Sequence, residues 1–415
     1  MEATMNNRIG VPYVEKLRLN LGRITFWKAV AAVLLTAGAV STVIRFWFGL
    51  GTATHLNDQF PWGLWIGFDV LTGVRLAADG FTVAAIVYIF NIKRFEPIIR
   101  PTILTAFLGY LLVIVALMYD LGRPLQIWHA FIMWNPRSVM FEVAWCVILY
   151  TVVLSLEFAP VVLEKFNMTR TVKALKKVSI PLIILGVLLS TLHQSSLGSL
   201  YLIVPEKLDA LWYSPYLPIF FYMSAIAVGC AMVIFESTLS SRTFKRGIEV
   251  DLLSQLAKVA VVMLSLYALF KVIDLKERNA LGLLFAARPE TYFYWFEIAV
   301  GIFAPVALFA QRRVRENPTG LFFGAVCVIL GFVLNRMNIT ITGMERWAGV
   351  TYVPSWMEVS VTLAIVALGF VVFALAAKYL TLFKCDEEPK NARLNNSRDE
   401  WMEELRAVSE QSTFR

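Results

Sequence analysis

Apolar residues gather in about ten long runs, centred on 24–50, 60–91, 99–120, 138–164, 178–203, 215–240, 253–273, 290–311, 319–340 and 355–383. Crossing a bilayer takes about 20 predominantly apolar residues in a helix. Several runs are longer, so they are expected to tilt or to extend past the bilayer. The pattern predicts an all-α polytopic membrane protein with about ten transmembrane helices. Polar positions inside the runs are few, which makes each of them informative. The second run opens FPWGLWIGFDVLTGVRLAADG, with a Pro–Trp turn and the tryptophans Trp62 and Trp65. Asp69, Arg75 and Asp79 lie inside it. At about 100° per residue, Asp69, Thr72, Arg75 and Asp79 share one sector about 120° wide. Each charge costs roughly 2.5–3.5 kcal/mol at a helix centre on an insertion scale, so all three must be paired, hydrated or shielded by protein.

Composition agrees with this class. The chain of 415 residues is 58% hydrophobic and 16% charged, more apolar side chain than a soluble domain of that size can hide. Lysine and arginine set the orientation. Of the 38 Lys+Arg, 27 fall on one side, with the N-terminus, the 91–100, 164–178, 241–258 and 311–319 connections and the C-terminal tail. The strongest clusters are Lys173, Lys176 and Lys177, then Arg312, Arg313 and Arg315. Both termini are therefore expected in the cytoplasm. The net charge of +8 belongs to that asymmetry and is no sign of nucleic-acid binding. The first apolar run is too long for a cleavable signal and lacks a small-residue cleavage site, so it reads as an uncleaved first helix. Three parts are expected: a cytoplasmic interfacial segment at 1–23, a transmembrane domain at 24–383, and a cytoplasmic tail at 384–415. In the tail, Ser397 and Glu400 are spaced to cap a short helix.

The connections add further polar groups. Residues 120–138 carry Trp128, Trp134, Arg123 and Arg137, and either dock a partner protein or form an aromatic belt at the lipid boundary. The stretch from Lys271 to Glu290 is charged and expected to be solvated. Asn335, Arg336 and Asn338 are expected to end the ninth helix at the outer surface, and Glu358 lies near the outer start of the tenth.

The densest polar stretch inside an apolar run is STLHQSSLGS at 190–199. His193 lies in the outer half of a helix running inside to outside, and Asp69 in the outer half of one running the other way, so the two sit at similar depth. A quinone ring needs donors to two carbonyl oxygens, a proton route and an apolar slot for its tail. Histidine and an acid at matched depth meet that need, although a transporter substrate uses the same groups. Candidate proton carriers are Arg75, Asp79, Glu157 and Glu236; Arg75 and Asp79 are also spaced i,i+4 for an internal ion pair, and Glu157 and Glu236 also read as interfacial charges near lysines. The chain has three histidines, and His55 and His129 fall in outer connections. A bis-His haem pair across two helices cannot be assembled from them. Four scattered cysteines, Cys146, Cys230, Cys327 and Cys385, offer no CxxC and no conventional zinc or iron–sulfur site. No metal site is expected.

Several words together resemble one family: PWGLWIGFD at 61–69, RFEPIIRP at 94–101, VMFEVAWC at 139–146, LEFAP at 156–160, LHQSSLGSL at 192–200 and IFES at 234–237, with weaker similarity as far as PSWME at 354–358. The chain resembles the NrfD/polysulfide-reductase membrane-subunit superfamily, most closely its ten-helix HybB-like branch. That resemblance implies two four-helix bundles plus two extra helices in a bacterial inner membrane. It implies a haem-free subunit that exchanges electrons between a periplasmic ferredoxin-like iron–sulfur protein and menaquinone or another quinone near the periplasmic face. The further catalytic subunit is of the nickel–iron hydrogenase, molybdopterin-like or multihaem cytochrome c kind, so the chain is not active alone. The expected quinone pocket lies between helices two, four and five. His193 and Asp69 hydrogen-bond the carbonyls and relay protons, with Gln194, Ser196, Glu142 and Trp65 around the ring. Quinone reduction is the expected direction, with proton movement across the membrane if protons arrive through Asp79, Glu157 or Glu236. A proton-coupled secondary transporter is the alternative from a different class.

Overall fold

The computed structural model describes residues 26–74, 96–244 and 250–380. Among them all regular structure is helical, and nine helices are long and apolar enough to cross a membrane. We label them in chain order. α1 is Phe26–Phe48, and α2 denotes the described start of the second helix, the π-helical Trp65–Val70. α3 is Glu96–Asp120, α4 Val139–Lys165, α5 Thr169–Ser199, α6 Leu217–Phe244 and α7 Val250–Glu277. α8 spans Pro289–Ala310 with a π turn at Ala299–Phe303, and α9 spans Pro318–Ala348 with a π turn at Asn338–Thr342. α10 is Trp356–Tyr379. The expected run 60–91 continues beyond Val74 into residues outside the described ones, so nine full spans and the start of one more match the periodicity.

The helices begin where short-range chemistry tells them to. Pro289 and Pro318 occupy first-turn positions, where a missing N–H costs nothing. The Asn317 side chain accepts from the Thr319 N–H, and Ser355 and Glu358 close a capping box on α10. Apolar residues then cover each helix all round, because one side faces lipid and the other the bundle. Phe26, Trp27, Trp47, Leu188 and Phe370 remain exposed accordingly.

α3 packs against α2 and α4, and α4 against α5. α6 packs against α7 and α9, and α8 against α9. α5 lies on α6 and joins these two bundles, while α1 pairs with α10, which leans on α3. The second bundle is tightest where Gly301 in the α8 π turn meets Gly331 on α9. A Cβ added at Gly331 would stand 1.9 Å from the Gly301 Cα, a clash with backbone that no rotamer relieves. Gly331→Ala is therefore expected to cost about 1–3 kcal/mol or more by overpacking, read as a lower melting temperature of the detergent-purified protein. An unchanged melting temperature would contradict this packing.

Two expectations are corrected. The stretch from Lys271 is not solvated from its start: α7 continues to Glu277, and Lys271 and Asp274 are 6% and 3% exposed, while Lys276 and Glu277 are exposed. Nor do Asn335, Arg336 and Asn338 end α9 at a surface; all three are buried, and the helix continues through the π turn to Ala348. The reason is pairing across helices: Glu297, Ser224 and Ser214 supply the partners that water would otherwise supply. In the connection after α3, Trp128, Phe131 and Trp134 are exposed around a short turn of helix, His129–Ile132. The segment 1–23, Arg75, Asp79, and the tail at 384–415 with its expected short helix lie outside the described residues.

Candidate functional site

His193 and Gln194 stand on the inner face of α5, fully enclosed at 0% and 1% exposed. Neither imidazole nitrogen of His193 has a hydrogen-bond partner among the described residues, nor does either end of the Gln194 amide. Buried polar atoms are nearly always satisfied, because each orphan costs about 1–3 kcal/mol. Four such atoms on adjacent residues make this the candidate site. Around them, the Tyr110 ring on α3 meets the imidazole edge-on at 5.9 Å, and Tyr150 on α4 packs on Tyr110 at 4.3 Å. Ser196, one turn nearer the end of α5, donates to the Glu142 carboxylate at 2.5 Å. Glu142 lies in the first turn of α4 and is exposed, so this bond links the bundle interior to the surface. Cys146, one turn along α4, is within reach of both Ser196 and Glu142.

Asp69 is buried in the π-helical α2, at 5% exposed. Its hydrogen bond comes from Thr362 on α10, at 2.8 Å. Among the described residues no hydrogen bond joins Asp69 to His193. Trp65, one turn earlier, gives its indole N–H to the Glu358 carbonyl at 3.2 Å and packs against Tyr119 at 5.9 Å. The helix-two residues proposed for the site are thus held by the last helix, while the α4 and α5 residues are held by each other.

At the opposite end of the first bundle, Glu157 on α4 has a buried carboxylate oxygen with no partner among the described residues. It lines a cavity of about 100 Å³ with Arg100, Lys176 and Ser179. Beyond this cavity Glu164 pairs with Arg100 at 2.9 Å and with Lys176 at 3.2 Å. Glu236 is half-buried on α6. The structure thus gives Glu157 a cavity with Arg100, Lys176 and Ser179 in its wall, near the lysine-rich end.

Sequence reasoning missed Tyr110, Tyr150 and Thr362, since tyrosine and threonine inside apolar runs carry no distinguishing pattern. The other histidines lie apart from the bundle interior. His55 bonds the Val353 carbonyl through Nδ1 at 2.8 Å, and His129 packs edge-on against Trp128.

Comparison with known proteins shows the family. The family described as polysulphide reductase, NrfD, matches residues 52–348. A protein of Nitratidesulfovibrio vulgaris is 37% identical over 375 residues, covering 88% of this chain and 96% of that one. The probable Ni/Fe-hydrogenase 2 b-type cytochrome subunit of Escherichia coli K12 is 33% identical over 347 residues, covering 82% and 87%. The menaquinone reductase integral membrane subunit of Nitratidesulfovibrio vulgaris is 28% identical over 409 residues, covering 91% and 95%. With the α2, α4 and α5 residues all inside the matched region, this chain belongs to the polysulphide reductase NrfD family.

Proposed function

We propose that the chain is the quinone-binding membrane subunit of a respiratory oxidoreductase complex. The observation that carries this reading is the His193–Gln194 pair, buried in the first bundle with no side-chain hydrogen-bond partner among the described residues. An imidazole and a carboxamide supply the donors that two ring carbonyls need, and the Tyr110 and Tyr150 rings line the site with aromatic surface. When bound, menaquinone or a related quinone supplies the two-electron, two-proton chemistry. His193 holds or gives a proton at one carbonyl, and Gln194 orients the ring. Ser196 ties the pocket to Glu142, which reaches the surface. Asp69 serves the same pocket from α2, its carboxylate fixed by Thr362. Trp65 shapes that end by anchoring α2 to α10.

One relative is named a b-type cytochrome subunit. The histidines of this chain do not fit a bis-His haem: His55 and His129 lie in connections and only His193 lies in a span. The reading is therefore haem-free, and stoichiometric b-haem bands in the absorption spectrum of the isolated chain would overturn it. Electrons then come from outside the chain. We assign them to a periplasmic ferredoxin-like iron–sulfur partner backed by a catalytic subunit, with both termini of this chain in the cytoplasm. The direction is quinone reduction, and Glu157 with its cavity is the entry for protons from the lysine-rich side.

The test uses the complex purified through this chain. It should reduce the water-soluble analogue 2,3-dimethyl-1,4-naphthoquinone with dithionite-reduced viologen as donor. A chain that copurifies with no redox partner and reduces no naphthoquinone sinks the reading. Glu142→Gln or Ser196→Ala breaks the charge-assisted link to the surface and is expected to slow turnover about tenfold, at the low end of what positioned acid–base groups contribute. Wild-type rates in both would remove Glu142 from the proton route.

A further inference from the structure

The second bundle holds a buried charge network that quinone binding leaves unused. Its centre is Glu297 on α8, 3% exposed. One carboxylate oxygen accepts from Trp212 Nε1 at 2.8 Å and Asn338 Nδ2 at 2.9 Å, and the other from Asn335 Nδ2 at 2.7 Å. Lys271 Nζ on α7 stands 3.8 Å from the second oxygen. That ammonium also faces the Tyr294 and Tyr267 rings, at 4.9 and 5.7 Å. Arg336 on α9 donates to Asn335 Oδ1 at 2.5 Å and Ser224 Oγ at 2.9 Å, and stacks 3.5 Å over the Phe221 ring. The next charges toward the connections pair among themselves: Arg278 with Asp274 at 2.6 Å, and Arg288 with Asp209 at 2.9 Å. Lys271 is thus the cation beside the carboxylate, with Arg336 linked to it through Asn335, and a proton gained at Glu297 or lost at Lys271 changes the cluster by one full charge.

Two features suit the cluster to move protons rather than only to lock helices. A cavity of about 30 Å³, enough for a single water, is lined by Glu297, Asn335, Ser224 and Tyr267. The α8 π turn starts two residues after Glu297 and breaks the regular helical ladder there. A seam also joins the cluster to the first bundle. The Thr340 hydroxyl donates to the Arg336 carbonyl and lies 2.8 Å from the Tyr201 hydroxyl. Tyr201 packs edge-on against Trp62 at 5.3 Å. Thr340 also abuts Gly67, where a Cβ would lie only 3.3 Å from its own Cβ. Gly67 is two residues before Asp69, so a shift of α2 presses directly on this seam.

We propose that Lys271 and Glu297 form a second proton-handling site, which carries protons through the second bundle as the first bundle turns over quinone. The Glu297 carboxylate takes a proton from the cavity side. Lys271 then releases its ammonium proton to Asp274, one turn nearer the connections, which gives it up to water at the half-buried Arg278 side of the connection. Glu297 returns its proton to Lys271 across the 3.8 Å gap, which resets the pair with one proton moved and no net charge left behind. This route rests on the quinone reading for its driving force.

The experiment places the purified complex in liposomes with an entrapped pH dye and counts protons moved per two electrons passed to 2,3-dimethyl-1,4-naphthoquinone. The informative variant is Lys271→Arg, which keeps the charge beside Glu297, and hence the fold, but does not give up its proton. Expected is quinone turnover within about twofold of wild type with uncoupler present, and at least a roughly fivefold loss of protons moved beyond those the chemistry consumes. Glu297→Gln should give the same split. A wild-type proton count in Lys271→Arg overturns the relay and leaves a structural ion pair. A wild-type complex that reduces the naphthoquinone but moves no extra protons overturns the relay alone. One that reduces no naphthoquinone overturns the quinone reading and the relay with it.

Discussion

His193→Ala is expected to cut naphthoquinone turnover by about 10²–10⁴-fold, the range for a positioned proton-transfer group, with assembly of the complex retained. Retention follows from the geometry. The imidazole nitrogens hold no other described side chain in place, so truncation removes two unsatisfied polar atoms and breaks no hydrogen bond among the described residues. What is lost is the donor to the ring and the edge presented to Tyr110. His193→Gln restores a donor that does not titrate near neutral pH. It should recover binding of the naphthoquinone, measured as Km or by displacement of a fluorescent inhibitor, without recovering kcat. Asp69→Asn should keep the Thr362 contact and lose proton transfer, with a smaller loss than at His193 because Asp69 is anchored away from α5. Wild-type turnover in both His193→Ala and Asp69→Asn, with the complex intact, would move the site elsewhere.

How far the sequence carries depends on whether a residue's partner is near it in the chain. The spans were legible because about 20 apolar residues in a row have one physical meaning. The α5 cluster was legible because His193, Gln194 and Ser196 advertise themselves within one helical turn. Asp69 was recognisable as an expensive buried acid, but its partner Thr362 is 293 positions away and unremarkable in its own run. The second-bundle network was misread for the same reason. Lys271 and Arg336 look like charges at helix ends, where water is the default partner, and Glu297 inside its apolar run carries no signal of its own. Only packing α7, α8 and α9 together shows that they satisfy one another. Polar residues close to the ends of apolar runs are thus where periodicity fails: the pattern locates the run, and the partner decides whether its last turns are wet or buried.

Glu358→Ala is expected to destabilise the fold by roughly 3–5 kcal/mol. Glu358 is 0% exposed, and among the described residues no cation is hydrogen-bonded to it; backbone and hydroxyl donors hold it instead. Its carboxylate accepts from the Ser355 N–H at 2.8 Å and the His55 N–H at 3.2 Å, and from the Tyr352 hydroxyl. Burial, together with that bond, pushes the Tyr352 hydroxyl far above the usual phenol range, so it stays a donor at any physiological pH. The same hydroxyl accepts from the Leu64 N–H, and the Tyr352 ring stacks on Phe60 at 4.8 Å. Glu358 therefore ties the α10 start, the loop before α2 and the Pro61–Trp62 entry into one knot. Alanine leaves three donors partly or fully buried without an acceptor, at about 1–3 kcal/mol each, and removes half of the capping box. Glutamine keeps one carbonyl oxygen, which can accept from the Ser355 and His55 N–H groups that share one carboxylate oxygen, and turns its NH2 toward the Tyr352 hydroxyl, so it should recover part of the loss. A melting temperature for Glu358→Ala equal to that of Glu358→Gln would show that the carboxylate is not the knot. Because Trp65 leans on the Glu358 carbonyl and Asp69 on Thr362 one turn along, the fraction of Glu358→Ala that stays folded should also show a raised Km for the naphthoquinone. The last helix then acts on the pocket without touching its ligand, by setting where α2 holds its acid.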